Sequence, residues 1–294
     1  MFDQTDHRVS VVGARTVALT TFLCFAFAAS VCAAPKPNQI RYEYVLPKNP
    51  EHQAIHDHMR QGRTLELLQQ LLTPIRLPHP LLFKVAGCDG AKSAWYDNEV
   101  ITVCYEMLAN FVNNAPDKDL PIGISRADTI IGPALDVFLH ETGHAVFQMI
   151  GIPVLGREED AADQFSAFVA LKLPKEDARR MILGSAYQYR RSMPGPDATL
   201  PISEFANEHS LPAQRMFNVL CIAYGADQKL FADIVEKGFL PKQRAESCLY
   251  EYDDLSFAMT KLIAPHIDQR LAKKSHEAWA RTISVRRARL AKPQ

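Results

Sequence analysis

The sequence predicts an α+β fold that is predominantly helical, with a small antiparallel sheet early in the chain. Three observations carry this expectation. Residues 81–88 (LLFKVAGC) and 99–107 (EVITVCYEM) are rich in β-branched residues and separated by turn-formers, the pattern of two strands. Beyond the loop at 115–125, apolar residues recur at helical spacing almost to residue 290, broken only by short glycine and proline stretches. Inside one of those helical runs lies HETGH, residues 140–144.

The chain has 294 residues, which we read as a signal segment over 1–33 and a single domain over 34–294. Thirty-three basic residues balance 33 acidic ones, so charge gives no reason to expect a nucleic-acid partner. Arg8 and Arg15 precede a short apolar run, VALTTFLCFAFAA (17–29), and then SVCAAP, with Val31 and Ala33 suitably small for a cut before Ala34. The run is too short to span a bilayer and has the flanks of a secretory signal. The expected location is therefore the periplasm or the exterior, with no stable membrane insertion once the signal is removed. Four cysteines remain after such a cut: Cys88, Cys104, Cys221 and Cys248. An even number in an exported protein suggests two disulfides, and proximity pairs Cys88 with Cys104 and Cys221 with Cys248.

Taken in order, residues 35–50 are proline-rich and read as an extended lead-in. Residues 51–72 read as helix, with Ile55, Met59, Leu65, Leu68 and Leu71 near helical spacing; His52 and His56 there read as a solvated face. The two strands follow, stapled by Cys88 and Cys104, and a helix is expected over 106–113. Later breaks fall at Gly151–Gly156, at 193–201, and near Gly225, Gly238 and Pro241. The segment from Arg270 is basic, with Leu271, Trp279, Ile283 and Leu290 on an apolar side, and reads as a solvated terminal helix.

The HETGH helix is bounded by Gly132-Pro133 as a start and Gly151 as a stop, with Pro153 beyond. Leu135, Phe138, Leu139, Val146, Phe147 and Ile150 make its core side. At 3.6 residues per turn His140 and His144 stand one above the other, able to meet one ion at Zn–N distances of about 2.0–2.1 Å. Glu141 is rotated about 100° from His140, beside the ion, where it can take a proton from water. A reversal at GIPVLG (151–156) returns a second helix, EEDAADQFSAFVALK (158–172), with acids at its N-terminus where the helix dipole favours them. Glu159 and Asp163 share a face. Glu158 aligns with Ala162, Phe165 and Val169 and is the nearest rival as a third ligand; Asp160 points away, and Asp163 as a direct ligand is a further alternative. Asp136, one turn before His140, is a candidate supporter of a histidine.

HETGH followed by EDAAD resembles the H-E-x-x-H … E-x-x-A-D pattern of gluzincin metallopeptidases. The resemblance implies a zincin-like fold with Zn2+ held by His140, His144 and Glu159, Glu141 as general base, and Asp163 supporting a ligand from the outer shell. It implies a peptide or protein substrate and a strand of the sheet, EVITVCYE, set at the edge above the metal. Such enzymes often draw an oxyanion donor from a downstream histidine or tyrosine; His209 is the first choice here, with Tyr187, Tyr189, Tyr224 and Arg215 as others. AWYDNEVITVCYE, EHSLPAQRMFNVLCIAYG and RAESCLYEY are similar to a family of exported bacterial proteins grouped as metallopeptidases, over roughly residues 80–255. A non-catalytic zinc protein that binds peptides or is merely stapled by the ion is the competing reading. An intact Glu141 argues against it, since a structural site has no use for a base.

Overall fold

The computed structural model describes residues 40–290 apart from Pro121 and Pro196, with side chains described up to residue 282. The signal-segment expectation lies outside the described residues. Strand β1 (Arg41–Tyr44) occupies part of the expected lead-in, and α1 (Gln53–Gln61) and α2 (Thr64–Leu72) follow. Then come β2 (Leu82–Ala86), β3 (Ala94–Asp97) and β4 (Val100–Cys104), with α3 (Tyr105–Asn114) directly after.

The sheet has the order β1-β2-β4-β3 and is mixed. β1 runs parallel to β2, β2 parallel to β4, and only β3 and β4 are antiparallel. This corrects the antiparallel expectation. AWYD, read as part of a turn, is a strand: Asn98 and Glu99, at φ 47° and 65°, form a two-residue hairpin turn into β4. The chain reverses once between β2 and β3 and again at this hairpin, so β4 runs the same way as β2. The Cys88–Cys104 disulfide forms as expected: the parallel register pairs Ala86 with Cys104, which puts Cys88, two residues on, within reach.

Everything after α3 is helical: α4 (Asp128–Ile150), α5 (Glu158–Ala170), α6 (Lys175–Arg191), α7 (Pro212–Ala226), short α8 (Ala232–Glu236) and α9 (Lys242–Ala245), α10 (Cys248–Leu262) and α11 (Gln269–Leu290). α4 begins before the expected Gly132-Pro133. Ser125 and Asp128 bond reciprocally, Asp128 Oδ2 accepting from the Ser125 amide at 2.7 Å, which is an S-x-x-D capping box that starts the helix a turn and a half earlier. Pro133 sits inside the helix.

α4 is the central element, packed on the sheet through Phe138 against Phe83 and on α5 and α6 through glycines. A Cβ on Gly184 of α6 would run into the carbonyl oxygen of Asp128, and one on Gly143 would meet the Ala162 Cα of α5 at 3.2 Å. The second disulfide, Cys221–Cys248, ties α7 to α10 as expected. His52 and His56 are not solvated: both are buried, His52 tilted over the Tyr105 ring at 5.9 Å and His56 edge-on to the same ring, because the turn leading into α1 and the first part of α1 pack their imidazoles against the start of α3. No helix among the described residues is long and apolar enough to cross a membrane.

Candidate metal centre

The second half of α4 carries His140, Glu141 and His144 toward α5. Gly151, in the left-handed conformation, ends α4, and α5 begins at Glu158 after an extended Arg157. Glu158, Glu159 and Asp160 thus occupy the first turn of α5, and the small Gly143–Ala162 contact lets the two helices approach closely.

His140 Nε2 lies 2.9 Å from Glu159 Oε2, His144 Nε2 lies 3.2 Å from His140 Nε2, and His144 Nε2 lies 3.4 Å from Glu159 Oε2. Ligands about 2.0–2.1 Å from a tetrahedral ion are separated by about 3.3 Å, so the three atoms are spaced to share one cation. His209, in the loop before α7, is the third histidine drawn to Glu159, its Nε2 2.9 Å from the same oxygen and its ring stacked on His140. His140, Glu159 and His209 together also make a group able to hold a metal, with ligand atoms within 4.8 Å of one another. The donor set, imidazoles with a carboxylate, is the chemistry that suits zinc.

The remaining ring nitrogens are fixed from behind. Asp163 Oδ1 lies 2.8 Å from His140 Nδ1, and Glu158 Oε1 lies 2.8 Å from His144 Nδ1. Metal-binding histidines take such partners, which set the tautomer that leaves Nε2 free. Glu158, weighed from sequence as a rival ligand, therefore occupies the outer position on His144; its place immediately before Glu159 was the only signal. Asp163 is in turn held by Arg215, whose guanidinium also lies over the Tyr189 ring at 4.7 Å. Asp136 departs from expectation. Its carboxylate is engaged away from the histidines, accepting from Ser166 and from Tyr189, the latter at 2.8 Å, because α4 turns it toward α5 and α6. Tyr187 donates to the Asn114 carbonyl, so neither of these tyrosines reaches the cleft.

The electrostatics follow from this packing. Burial pulls the His140 pKa down, but the carboxylates of Asp163 and Glu159 outweigh it and raise it to about 9. Burial raises Asp163, yet His140 and Arg215 bring it to about 2. Glu159 is likewise held far below the usual carboxylate range by three imidazoles, against burial. These carboxylates recruit positive charge to the point between the histidines, where a divalent cation would replace the protons. Glu141 is buried, and that desolvation raises its pKa.

A cleft of about 700 Å³ opens on His140, Glu141, His144, Glu159 and His209, with Ala94, Trp95 and Tyr96 along one wall. Those three belong to β3, the edge strand; EVITVCYE, expected at the edge, supplies β4, which lies inside the sheet between β2 and β3.

The family model described as putative metallopeptidase, DUF4344, matches residues 44–263. No curated protein and no solved structure matches the chain.

Proposed function

The chain belongs to the DUF4344 family of metallopeptidases through that match over residues 44–263, and on this premise we propose that it is a zinc-dependent peptidase of gluzincin type with a zincin-like fold, acting outside the cytoplasm. The observation that carries the reading is the mutual spacing of His140 Nε2, His144 Nε2 and Glu159 Oε2, at 2.9, 3.2 and 3.4 Å, beside a buried glutamate.

Zinc supplies Lewis acidity toward a water molecule and the scissile carbonyl. Glu141 takes the water proton on its carboxylate and hands it to the leaving nitrogen; its burial, which favours the neutral form, fits a group that must hold that proton between the two transfers. Asp163 and Glu158 keep Nδ1 of the two histidines occupied, which leaves Nε2 of each as the atom that would hold the ion. His209 stands where its Nε2 can donate to the oxyanion. The free edge of β3 can hold an extended substrate by main-chain pairing. Two disulfides fit an oxidising compartment, which supports export.

The test is metal content by mass spectrometry of the purified chain, followed by cleavage of a random peptide library. Zinc at one equivalent, with hydrolysis lost in Glu141→Gln while zinc is kept, is the expected result. Hydrolysis at the wild-type rate in zinc-loaded Glu141→Gln would remove Glu141 as the base.

A second reading has one observation in its favour. His209 lies close enough to Glu159 and His140 to act as a fourth protein ligand, which would close the site as structural zinc sites are closed. In that case the protein would be a non-catalytic, zinc-stapled or peptide-binding member of the family. Loss of zinc from His209→Gln, together with no hydrolysis by the wild type, would favour it.

A further inference from the structure

Away from the charged residues, the cleft has an apolar half. Phe147 stands near the last turn of α4, and Ile152 and Val154 on the segment that follows it. The chain fixes this wall by itself. Gly151 takes φ 74°, and the Ile152 amide donates back to the Phe147 carbonyl at 2.9 Å, which folds the segment against the helix end. Gly156, at φ 101°, then turns the chain into α5. Between the two glycines exposure alternates. Ile152 and Val154 are half-buried and line the cleft, while Pro153 faces outward and Leu155 is 98 % exposed. A period of two marks an extended segment presenting one side. That side offers apolar surface to an open space, and covering it would be favourable at about 25 cal/mol per Å².

Glu141, Glu158 and Glu159 line the cleft with three histidines, and no lysine or arginine is among the described residues that do so. Arg215 is engaged below, on Asp163. Apart from the histidines and the cation they would hold, a peptide's terminal carboxylate would find no lysine or arginine in this cleft to clamp it and would lie beside Glu141, Glu158 and Glu159, an arrangement that gives it no dedicated partner.

We infer that the cleft accepts an internal stretch of extended polypeptide, and that Phe147, Ile152 and Val154 form a subsite for one bulky apolar side chain flanking the bond that is cut. The inference rests on the peptidase reading above, and names its substrate class.

The experiment has two arms, so that failure of either idea can be told apart. In the first, zinc-loaded full chain is incubated with peptide mixtures bearing free or amidated C-termini, and the products are sequenced by mass spectrometry. Large aliphatic or aromatic residues should exceed charged ones at a single position beside the cut by about tenfold or more, as apolar pockets discriminate, with no dependence on a free C-terminus. Ile152→Asp and Val154→Lys should each abolish that preference, the first toward basic residues, with zinc content unchanged. In the second arm, binding of matched peptides carrying Phe, Lys or Asp at that position to the zinc-loaded chain and to Glu141→Gln is measured by calorimetry. The Phe peptide should bind about tenfold tighter, and Ile152→Asp should erase the difference. A flat preference, a requirement for a free carboxylate, or variants that keep the wild-type preference would overturn the subsite. No cleavage at all, with the Phe peptide still preferred in binding, would overturn the peptidase reading and leave the subsite standing.

Discussion

Arg215 grips both carboxylate oxygens of Asp163, its Nε donating to Oδ2 at 2.7 Å while Nη2 reaches Oδ1. Asp163 Oδ1 is also the atom that meets His140 Nδ1. Arg215 therefore acts on the candidate metal ligand through one intermediate, keeping Asp163 ionised and still. Arg215→Met should weaken zinc binding by about 10–100-fold, read by chelator competition. Arg215→Lys should recover only part of it, because an ammonium lacks the planar fork that matches a carboxylate. Wild-type affinity in Arg215→Met would mean that Asp163 needs no help.

Glu158 makes the corresponding contact on His144 but is 54 % exposed, whereas Asp163 is 6 % exposed. Water can replace a carboxylate at an exposed position. Glu158→Ala should therefore reduce zinc affinity less than Asp163→Ala does, and raised salt should narrow the difference from wild type. A larger loss from Glu158→Ala would reverse the ranking of the two supports.

His209 divides the two readings of the site. As an oxyanion donor, its loss in His209→Gln should lower kcat by about 10²–10³-fold with zinc retained and KM little changed. As a ligand, the same substitution should release zinc. Metal content and steady-state kinetics on one preparation decide between them.

The Cys221–Cys248 bridge closes a loop of sequence separation 27 and joins α7, which carries Arg215, to α10. Replacing both cysteines with alanine should cost about 2–4 kcal/mol of stability, measured as a lower urea midpoint together with a steeper slope, because the unbridged unfolded chain exposes more surface. An unchanged midpoint would mean the helices hold each other without the bridge.

Gly143 sits between the two histidines and touches Ala162 across the helix pair. Gly143→Ala would bring a Cβ to 3.2 Å from the Ala162 Cα and 3.4 Å from the Phe165 Cβ, so α5 must yield by a few tenths of an ångström. The substitution should cost about 1–3 kcal/mol as overpacking and also weaken zinc binding, because Glu159 moves with α5. Unfolding of the metal-free form and chelator competition separate the two effects; an affinity equal to wild type would show that this contact does not set the position of Glu159.

The parts of the site fixed by local geometry were legible in the sequence. Helix periodicity alone puts His140 above His144, and Glu159 beside Asp163, since α5 begins within a residue of where its acids suggest. Cysteine pairing was legible for the same reason: the partners are neighbours in the chain. Features that depend on distant segments were not. β-rich composition carries no strand direction, so β2 and β4 gave no sign of running parallel, and the four residues of AWYD were too short a run to stand out from the turn around them. An imidazole serves equally as a polar surface group or an aromatic core group, which is why His52 and His56 were misread. Asp136 has the right spacing along α4 but faces Tyr189 on α6, and sequence spacing does not say which neighbour a helix face meets. The Ser125–Asp128 box was visible in the sequence, yet the nearby Gly132-Pro133 was the louder signal.

The short connection between Gly151 and Gly156 bears on the order of assembly. His140, His144 and Glu159 all belong to one helical hairpin, so bringing their donor atoms together closes only a short loop. His209 and Arg215 come from beyond α6 and join by a longer closure. The hairpin that carries the candidate ligands is thus a local structure, able to form early and to gain from any metal it binds as it does. The residues proposed to complete the chemistry, His209 and the arginine behind Asp163, arrive with the global fold. On the proposed function, metal capture and chemical competence are accordingly separable events along the folding path, the first belonging to a hairpin and the second to the whole molecule.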